Sequence, residues 1–499
     1  MRTVAIALGF LVLSQNAPAA TLHVPADYGT IGLAIAHANP GDEILVAAGT
    51  YLETIALDAT KDGVKIHSES GPALTTIDGG FTGSVVTMTS VGSGTELIGF
   101  TVTHGGHSPT LDVEGGGIQL AAASPKIDGN IVKQCLSHLG AVYSLNGSPA
   151  ITNNTIDGNT SRFGGGIYVS GGAPTITGNT ITNNKTTSGS GGGLDLMSNS
   201  AQVEDNLIQS NQSSQRGGGI ACFSPTGGSI QDNHLVSNSG GLGGGVYVFG
   251  GAIPISGNVI QSNSAINVGG GLYLENGTTS LVQNNQFLNN SGVGGGIYLY
   301  SSSPTLQGNL IQDNENIHGS GGGIYVDGGS SATITQNLIL RNHCAAWGGG
   351  VVVWGSSASL TGNTIVLNKG DLGGGNIYLR QQANAALNRN ILSHSPNDGL
   401  DSDPIDGSNS VSLGCNDVFG NLSGNYTGLA DPTGTNGNIS SDPLFCNLAL
   451  LDVHLAQISP CTAANAPAGC GLIGALDIGC EGPVRTETTT WGGLKALYR

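Results

Sequence analysis

Charge is what this sequence has least of. Only 10% of its 499 residues are Asp, Glu, Lys or Arg, and 15 cations face 33 acids for a net charge of -18. A nucleic-acid binder needs a basic footprint, and an anionic membrane surface attracts polybasic segments, so both classes are excluded. Aromatics are 5% and methionines number 3. After the N-terminal segment no apolar run is long enough to span a bilayer. None of the 8 cysteines stands in a CxxC or CxH pair, so a zinc ribbon or finger is excluded. What the chain has instead is 84 glycines and 38% hydrophobic residues. Disordered glycine-rich chains lack such a share of apolar residues, so an ordered repeat is expected.

Arg2, the apolar stretch Val4 to Leu13 and the small-residue site at Ala17 to Ala19 read as a secretory signal over residues 1–19. The protein is therefore expected to be secreted or held at the cell surface. The cysteine content fits an oxidising compartment.

The triplet GGG followed by an aliphatic residue begins at Gly115, Gly164, Gly191, Gly217, Gly243, Gly269, Gly294, Gly321 and Gly348. With variants near Gly140 and Gly373 this makes about eleven units of 25–27 residues over 115–395. Each unit carries three short β segments, as in GGGIYV (164–169), APTIT (173–177) and NTITNN (179–184). Alternation places Ile167 and Val169 on one face of the first segment and Tyr168 on the other. The second segment forms a column through Ile176, Val203, Ile230, Ile255, Leu281 and Leu306, and the third one through Ile181, Ile208, Leu235 and Ile260. One unit cannot bury its few aliphatics, whereas stacked units bury a continuous column. The fold class expected is all-β, a right-handed parallel β-helix, because right-handed crossovers are the rule between parallel strands. Propeller blades need longer repeats, and leucine-rich repeats need a leucine signature that is absent. Two files of asparagine, one through Asn206, Asn233 and Asn258 and one through Asn211, Asn238 and Asn263, are expected at turns, bonding from coil to coil.

Residues 20–114 read as an N-terminal cap and first coils, with a capping helix whose Ile31, Ala34, Ile35 and Ala38 share a face behind the N-cap Thr30. Residues 396–480 read as C-terminal coils and a cysteine-rich cap, holding at least two disulfides among Cys415, Cys446, Cys461, Cys470 and Cys480. The more basic tail 481–499 reads as an end segment or a sorting signal.

VPADYGTIGLAIAHANPGDEILVAAGTY (24–51), with SDPLFCN (441–447), SPC (459–461) and GALDIG (474–479), resembles the opening and closing segments of secreted bacterial right-handed β-helix proteins of the pectin-lyase-like superfamily. The resemblance covers nearly all of 22–480 and implies the fold. It implies no single activity, because the group mixes lyases, glycosidases, epimerases and proteins without a known reaction. SPNDGLD (395–401) is similar to the first polygalacturonase motif, but the DD, GHG and RIK motifs that should follow are missing. No Arg/Lys cluster in successive coils suggests a lyase.

The outward file of the first segment is the richest feature. It runs Gln119, Tyr143, Tyr168, Asp195, Ala221, Tyr247, Tyr273, Tyr298, Tyr325, Val352, Tyr378, with seven of the chain's 12 tyrosines. A second outward file runs Ser170, Met197, Phe223, Phe249, Glu275, Tyr300, Asp327, Trp354, Arg380. Stacked aromatics would stabilise a strand ladder in any case. The same rings suit the apolar faces and hydroxyl rims of sugars. The sequence therefore predicts a carbohydrate-binding platform made of Tyr247, Tyr273, Tyr298, Tyr325, Tyr378, Phe249, Tyr300 and Trp354. Its partner would be an extracellular polysaccharide, neutral or cationic given the net charge. A polysaccharide lyase or glycoside hydrolase is the alternative, with Glu275 and Asp327 as the candidate acid pair, and a purely structural surface protein is the third. Asp398, Asp401, Asp403 and Asp406 lie in a glycine-containing loop that could hold calcium, or could be a solvated acidic turn.

Overall fold

A computed structural model describes residues 18–107, 111–403 and 409–483. The expected signal at 1–19 lies outside these residues except for its end, and so does the tail from Val484 on.

Parallel strands stack into three long sheets. The first, which carries the GGG-led segments, has 15 strands from Ile55–Leu57 to Gly424–Thr427. The second has 16, from Thr21–Val24 to Ser410–Gly414, and the third 15, from Gly49–Leu52 to Asp417–Phe419. The chain is a right-handed parallel β-solenoid. The aliphatic columns are in register and buried, with Ile176 paired to Val203 and Val203 to Ile230. One position differs from the sequence reading. Val282, not Leu281, pairs with Ile255 and Leu306, while Leu281 is 36% exposed on the outside. Every other column residue here stands three before its ladder asparagine, and Val282 keeps that distance to Asn285.

The asparagine files are buried ladders. The Asn233 carboxamide oxygen accepts the backbone N–H of Asn206 at 3.0 Å and its Nδ2–H at 3.0 Å. Asn233 Nδ2 donates to the Val203 carbonyl at 2.9 Å and to Asn258 Oδ1 at 3.0 Å. The left-handed turn conformation belongs to the residue before each ladder asparagine, as at Asp232 (φ 53°) and Ser237 (φ 54°). The asparagines thus bond from coil to coil through their amides, as expected, while the left-handed turn residue is the one before each of them. In the GGG triplets from Gly164 to Gly348 the first glycine is left-handed (Gly243, φ 62°), and a Cβ on the third would stand 2.6 Å from the next coil's carbonyl (Gly245 against Gly271). Only glycine fits both needs.

Three strands per coil were expected, but a fourth, shorter sheet precedes the glycines. It comprises Leu136–Leu139, Thr160–Phe163 and Lys185–Thr186, then six strands from Ser239–Leu242 to Lys369–Gly370.

At the N-terminal end, helix Ile31–His37 buries Ile31, Ala34 and Ile35, with Thr30 accepting from the Leu33 N–H at 3.1 Å. Glu53 accepts the N–H groups of Ile31 and Gly32 at 2.9 and 2.8 Å, satisfying the open first turn. At the other end two disulfides join Cys415 to Cys470 and Cys446 to Cys480. Phe445, Val453, Leu455, Cys470 and Ile473 pack with Leu340, Val366 and Ile391, so this segment folds back along the flank of the third sheet. Cys461 stays a buried thiol and donates to Asp417 Oδ2 at 3.0 Å. Cys222 is buried in its inward column.

Candidate functional site

The first sheet's outer face positions its side chains by strand alternation alone. Tyr247, Tyr273, Tyr298 and Tyr325 stand in successive coils in unbroken register. Tyr378 is paired through Val352. Adjacent rings lie 5.2–5.4 Å apart between centroids.

Their exposure corrects the sequence reading. Tyr247, Tyr273, Tyr298, Tyr325 and Tyr378 are 0–8% exposed and form one cluster with Leu242, Val268, Val293 and Trp347. Leu242, Val268 and Val293 come from the fourth sheet, and Trp347 bridges to Gly373 just before its glycine triplet. Alternation told which side of the strand these tyrosines occupy, but not that another sheet's edge lies over them. The rings that remain available are in the second file, where Tyr300 is 41% exposed and Phe223, Phe249 and Trp354 are half-buried. The platform residues thus divide into a buried support of tyrosines and a shallower outer file.

The two files are joined by hydrogen bonds. Tyr247 Oη donates to Glu275 Oε2 at 2.6 Å, Tyr298 Oη to Asp327 Oδ2 at 2.7 Å and Tyr378 Oη to Asp403 Oδ2 at 2.8 Å. Burial, then the bonded carboxylate, drives the hydroxyls of Tyr247, Tyr298 and Tyr378 well above the usual phenol range. They stay protonated donors and hold the acids in place. Glu275 and Asp327 flank Tyr300 directly, one coil on either side. At the C-terminal end of the file Arg380 lies 4.7 Å above the Trp354 ring and 3.7 Å from Asp403.

The tyrosine file is broken at Asp195, which pairs with Tyr168 and Ala221. It is 2% exposed, its Oδ1 has no hydrogen-bond partner among the described residues, and burial pushes its carboxyl up to about 7.

The expected calcium loop is not assembled by the described residues. Asp398 accepts from Thr427 Oγ1 at 2.8 Å, and Asp403 is bonded to Tyr378. Asp401 is raised to about 6 by burial and then by Asp398 and Asp403. Among the described residues no group of three His, Cys, Asp or Glu side chains is arranged to hold a metal ion, and Asp406 lies outside them. A cavity of about 760 Å³ at the C-terminal end is lined by Asp403, Asn409, Leu413 and Leu429 among others. Asp403 is the one ionisable group among the described residues that line it.

Sequence reasoning missed the fourth sheet and the tyrosine–acid bonds. The second had a signal, since Glu275 and Asp327 follow Tyr247 and Tyr298 by 28 and 29 residues, one coil plus two positions.

The family model described as "Right handed beta helix region" matches residues 84–255 and 241–369. No curated protein matches the sequence. Among solved structures, the catalytic unit of a GH87 α-1,3-glucanase from Streptomyces thermodiastaticus is 13% identical, with 86% of this chain and 71% of that chain covered and a TM-score of 0.43. A PL6 family alginate lyase is 12% identical over 80% and 73%, with a TM-score of 0.34. The A-module of a mannuronan C-5 epimerase from Azotobacter vinelandii is 13% identical over 81% and 91%, with a TM-score of 0.26. No residue role is carried over from these distant likenesses.

Proposed function

This chain belongs to the right-handed β-helix family, and from that premise we propose that it is an exported protein that binds an extracellular polysaccharide along the outer file of its first sheet. The observation that carries the reading is the file itself. Phe223, Phe249, Glu275, Tyr300 and Asp327 follow one another coil by coil in register, and Trp354 and Arg380 continue the line. Parallel strands space them by about 4.8 Å, close to the length of one sugar unit. A linear glycan laid along the solenoid axis would meet flat apolar faces alternating with hydrogen-bonding groups. The buried tyrosines Tyr247, Tyr273, Tyr298, Tyr325 and Tyr378 take the supporting role, holding the sheet rigid and fixing the acids. The platform of the sequence reading is thereby narrowed to Phe249, Tyr300 and Trp354 as contact rings.

Export is supported by the two disulfides, which persist in oxidising compartments. No helix among the described residues is long and apolar enough to cross a membrane. Within this reading residues 1–19 are the export signal, 20–114 the N-terminal cap and first coils, 115–395 the binding solenoid, 396–480 the closing segment and 481–499 a sorting tail. The helix Ile31–His37 would cap the first coil.

Glu275 and Asp327, two coils apart, favour a hydrolytic reading as the second possibility. Their backbones are about 9–10 Å apart by strand spacing, a gap that side chains can reduce to the inverting range. One experiment separates the two readings. The protein is titrated against a panel of neutral, cationic and uronic polysaccharides while reducing ends and unsaturated products are assayed. Saturable binding without products is expected. Products that vanish in Glu275→Gln would establish the hydrolase, and absence of binding across the panel would leave a structural protein.

A further inference from the structure

The outer file says more than that a sugar could stack on it. Glu275 and Asp327 have no cationic side chain within 4.0 Å among the described residues. Yet both are hydrogen-bonded by the protein. Glu275 Oε2 is committed to Tyr247, and Asp327 takes Tyr298 on Oδ2 and the Gly328 N–H on Oδ1 at 2.6 Å. A carboxylate pair offers about eight acceptor sites, so most of their capacity is left for a ligand. Each is half-buried, and the ring between them, Tyr300, is the most exposed aromatic of the face. Arg216 stands over the Tyr247 ring, 5.5 Å from its centroid, but forms no ion pair with Glu275. Two acids with no ion-pair partner among the described residues, on either side of an open ring, in a chain of net charge -18, form a cradle for a ligand with an apolar face and cationic groups at its edges.

We propose that the glycan is a polymer of amino sugars with free amines, a 1,4-linked hexosamine chain, and that Glu275 and Asp327 bind its ammonium groups while Tyr300 stacks one ring. This rests on the polysaccharide-binding reading above. The geometry selects the class. Two coils separate the acids by about 9–10 Å, close to the disaccharide repeat of an extended 1,4-linked chain. Amines two sugars apart point to the same side in such a chain and would meet both acids at once. A polyuronate would set carboxylate against carboxylate, which is repulsive. A neutral glucan would use the ring but leave both charges unmet. Arg380 does not compete for this role, because it is engaged by Trp354 and Asp403 further along the file.

The test uses hexamers of β-1,4-linked glucosamine, N-acetylglucosamine and glucose, with polylysine of matched charge as a control, titrated calorimetrically into the full chain at low and high salt. The glucosamine hexamer is expected to bind about tenfold more tightly than either uncharged hexamer at low salt, an advantage that shrinks as salt screens the pair. Glu275→Gln with Asp327→Asn should abolish that preference and leave the binding of the N-acetylated hexamer within about twofold. The control Glu204→Gln with Glu481→Gln removes the same charge away from the face and should change nothing. If the uncharged hexamers bind as well as the amine, the amino-sugar class is wrong while polysaccharide binding stands. If no hexamer binds, both readings fall. If the Glu204/Glu481 variant loses as much as the Glu275/Asp327 variant, attraction is bulk charge, and if polylysine shows the same site dependence as the sugar, the acids bind any polycation; either result overturns the proposal.

Discussion

Replacing Asn233 by alanine should be one of the most destabilising single changes in this solenoid. The carboxamide oxygen of Asn233 is the acceptor of the buried Asn206 backbone N–H. Its Nδ2 supplies a donor to the carbonyls of Val203 and Gln231 and to Asn258 Oδ1. Alanine leaves the Asn206 N–H with no acceptor in a place water does not reach. An orphaned buried donor costs about 1–3 kcal/mol, and each lost hydrogen bond with a retained partner about 1 kcal/mol. The sum is about 3–5 kcal/mol. Solenoid stability is a sum of coil terms and interface terms, so the loss should be local as well as global. Urea denaturation measures the first, and amide exchange across residues 203–260 the second. Gln209→Ala, on the outward side of the third sheet, is expected to stay within about 0.5 kcal/mol of the parent. A loss under about 1 kcal/mol for Asn233→Ala, or protection unchanged at Asn206, would refute the argument that these ladders hold the coils together.

Other expectations follow from groups away from the ladders. The carboxyls of Asp195 and Asp417 are raised by burial to about 7, against an ordinary value of 3.8. The folded chain therefore binds more protons than the unfolded one between those values, so stability falls as pH rises through that window and the penalty is complete above it. Asp195→Asn should remove its share, up to about 1.4 kcal/mol per pH unit, flattening the Tm profile between about pH 4 and 7. An unchanged profile would show that Asp195 is not the group responsible. Reducing the two disulfides opens loops of 55 and 34 residues, worth about 4 kcal/mol each in the chain-entropy account. The expected result is proteolytic release of the segment after Leu444 with the parallel-sheet circular dichroism retained. Collapse of the whole dichroism signal would show that this segment holds the solenoid together. Tyr298→Phe removes the donor to Asp327 and should lower stability by about 1.5–3 kcal/mol. A Tm equal to that of the parent would show that this bond is not maintained in solution.

The repeat was legible because each coil buries the same few positions, and Ile176, Val203 and Ile230 could be aligned by eye. The register of the outer files was legible for the same reason, since alternation follows from the pleat. Leu281 was misplaced because two aliphatic residues, Leu281 and Val282, stand side by side there, and the distance from the triplet varies between coils. Counting back from Asn285 gives Val282. The fourth sheet was hidden because its strands are two to five residues long and rich in Ser and Gly, as in Ser239–Leu242, with no alternation to mark them. That omission made five buried tyrosines look exposed. Disulfide pairing was never legible, because spacing alone does not choose among the five C-terminal cysteines.

The most direct test of the account is the affinity of the Tyr300→Ala, Trp354→Ala double variant for whichever glycan of the panel the parent binds. Both rings lie in the outer file and neither is buried, so the fold should survive, as far-ultraviolet circular dichroism and Tm will show. The account predicts a loss of about tenfold or more, since exposed aromatic anchors carry a disproportionate share of binding energy. A folded double variant that binds the glycan as tightly as the parent would contradict it.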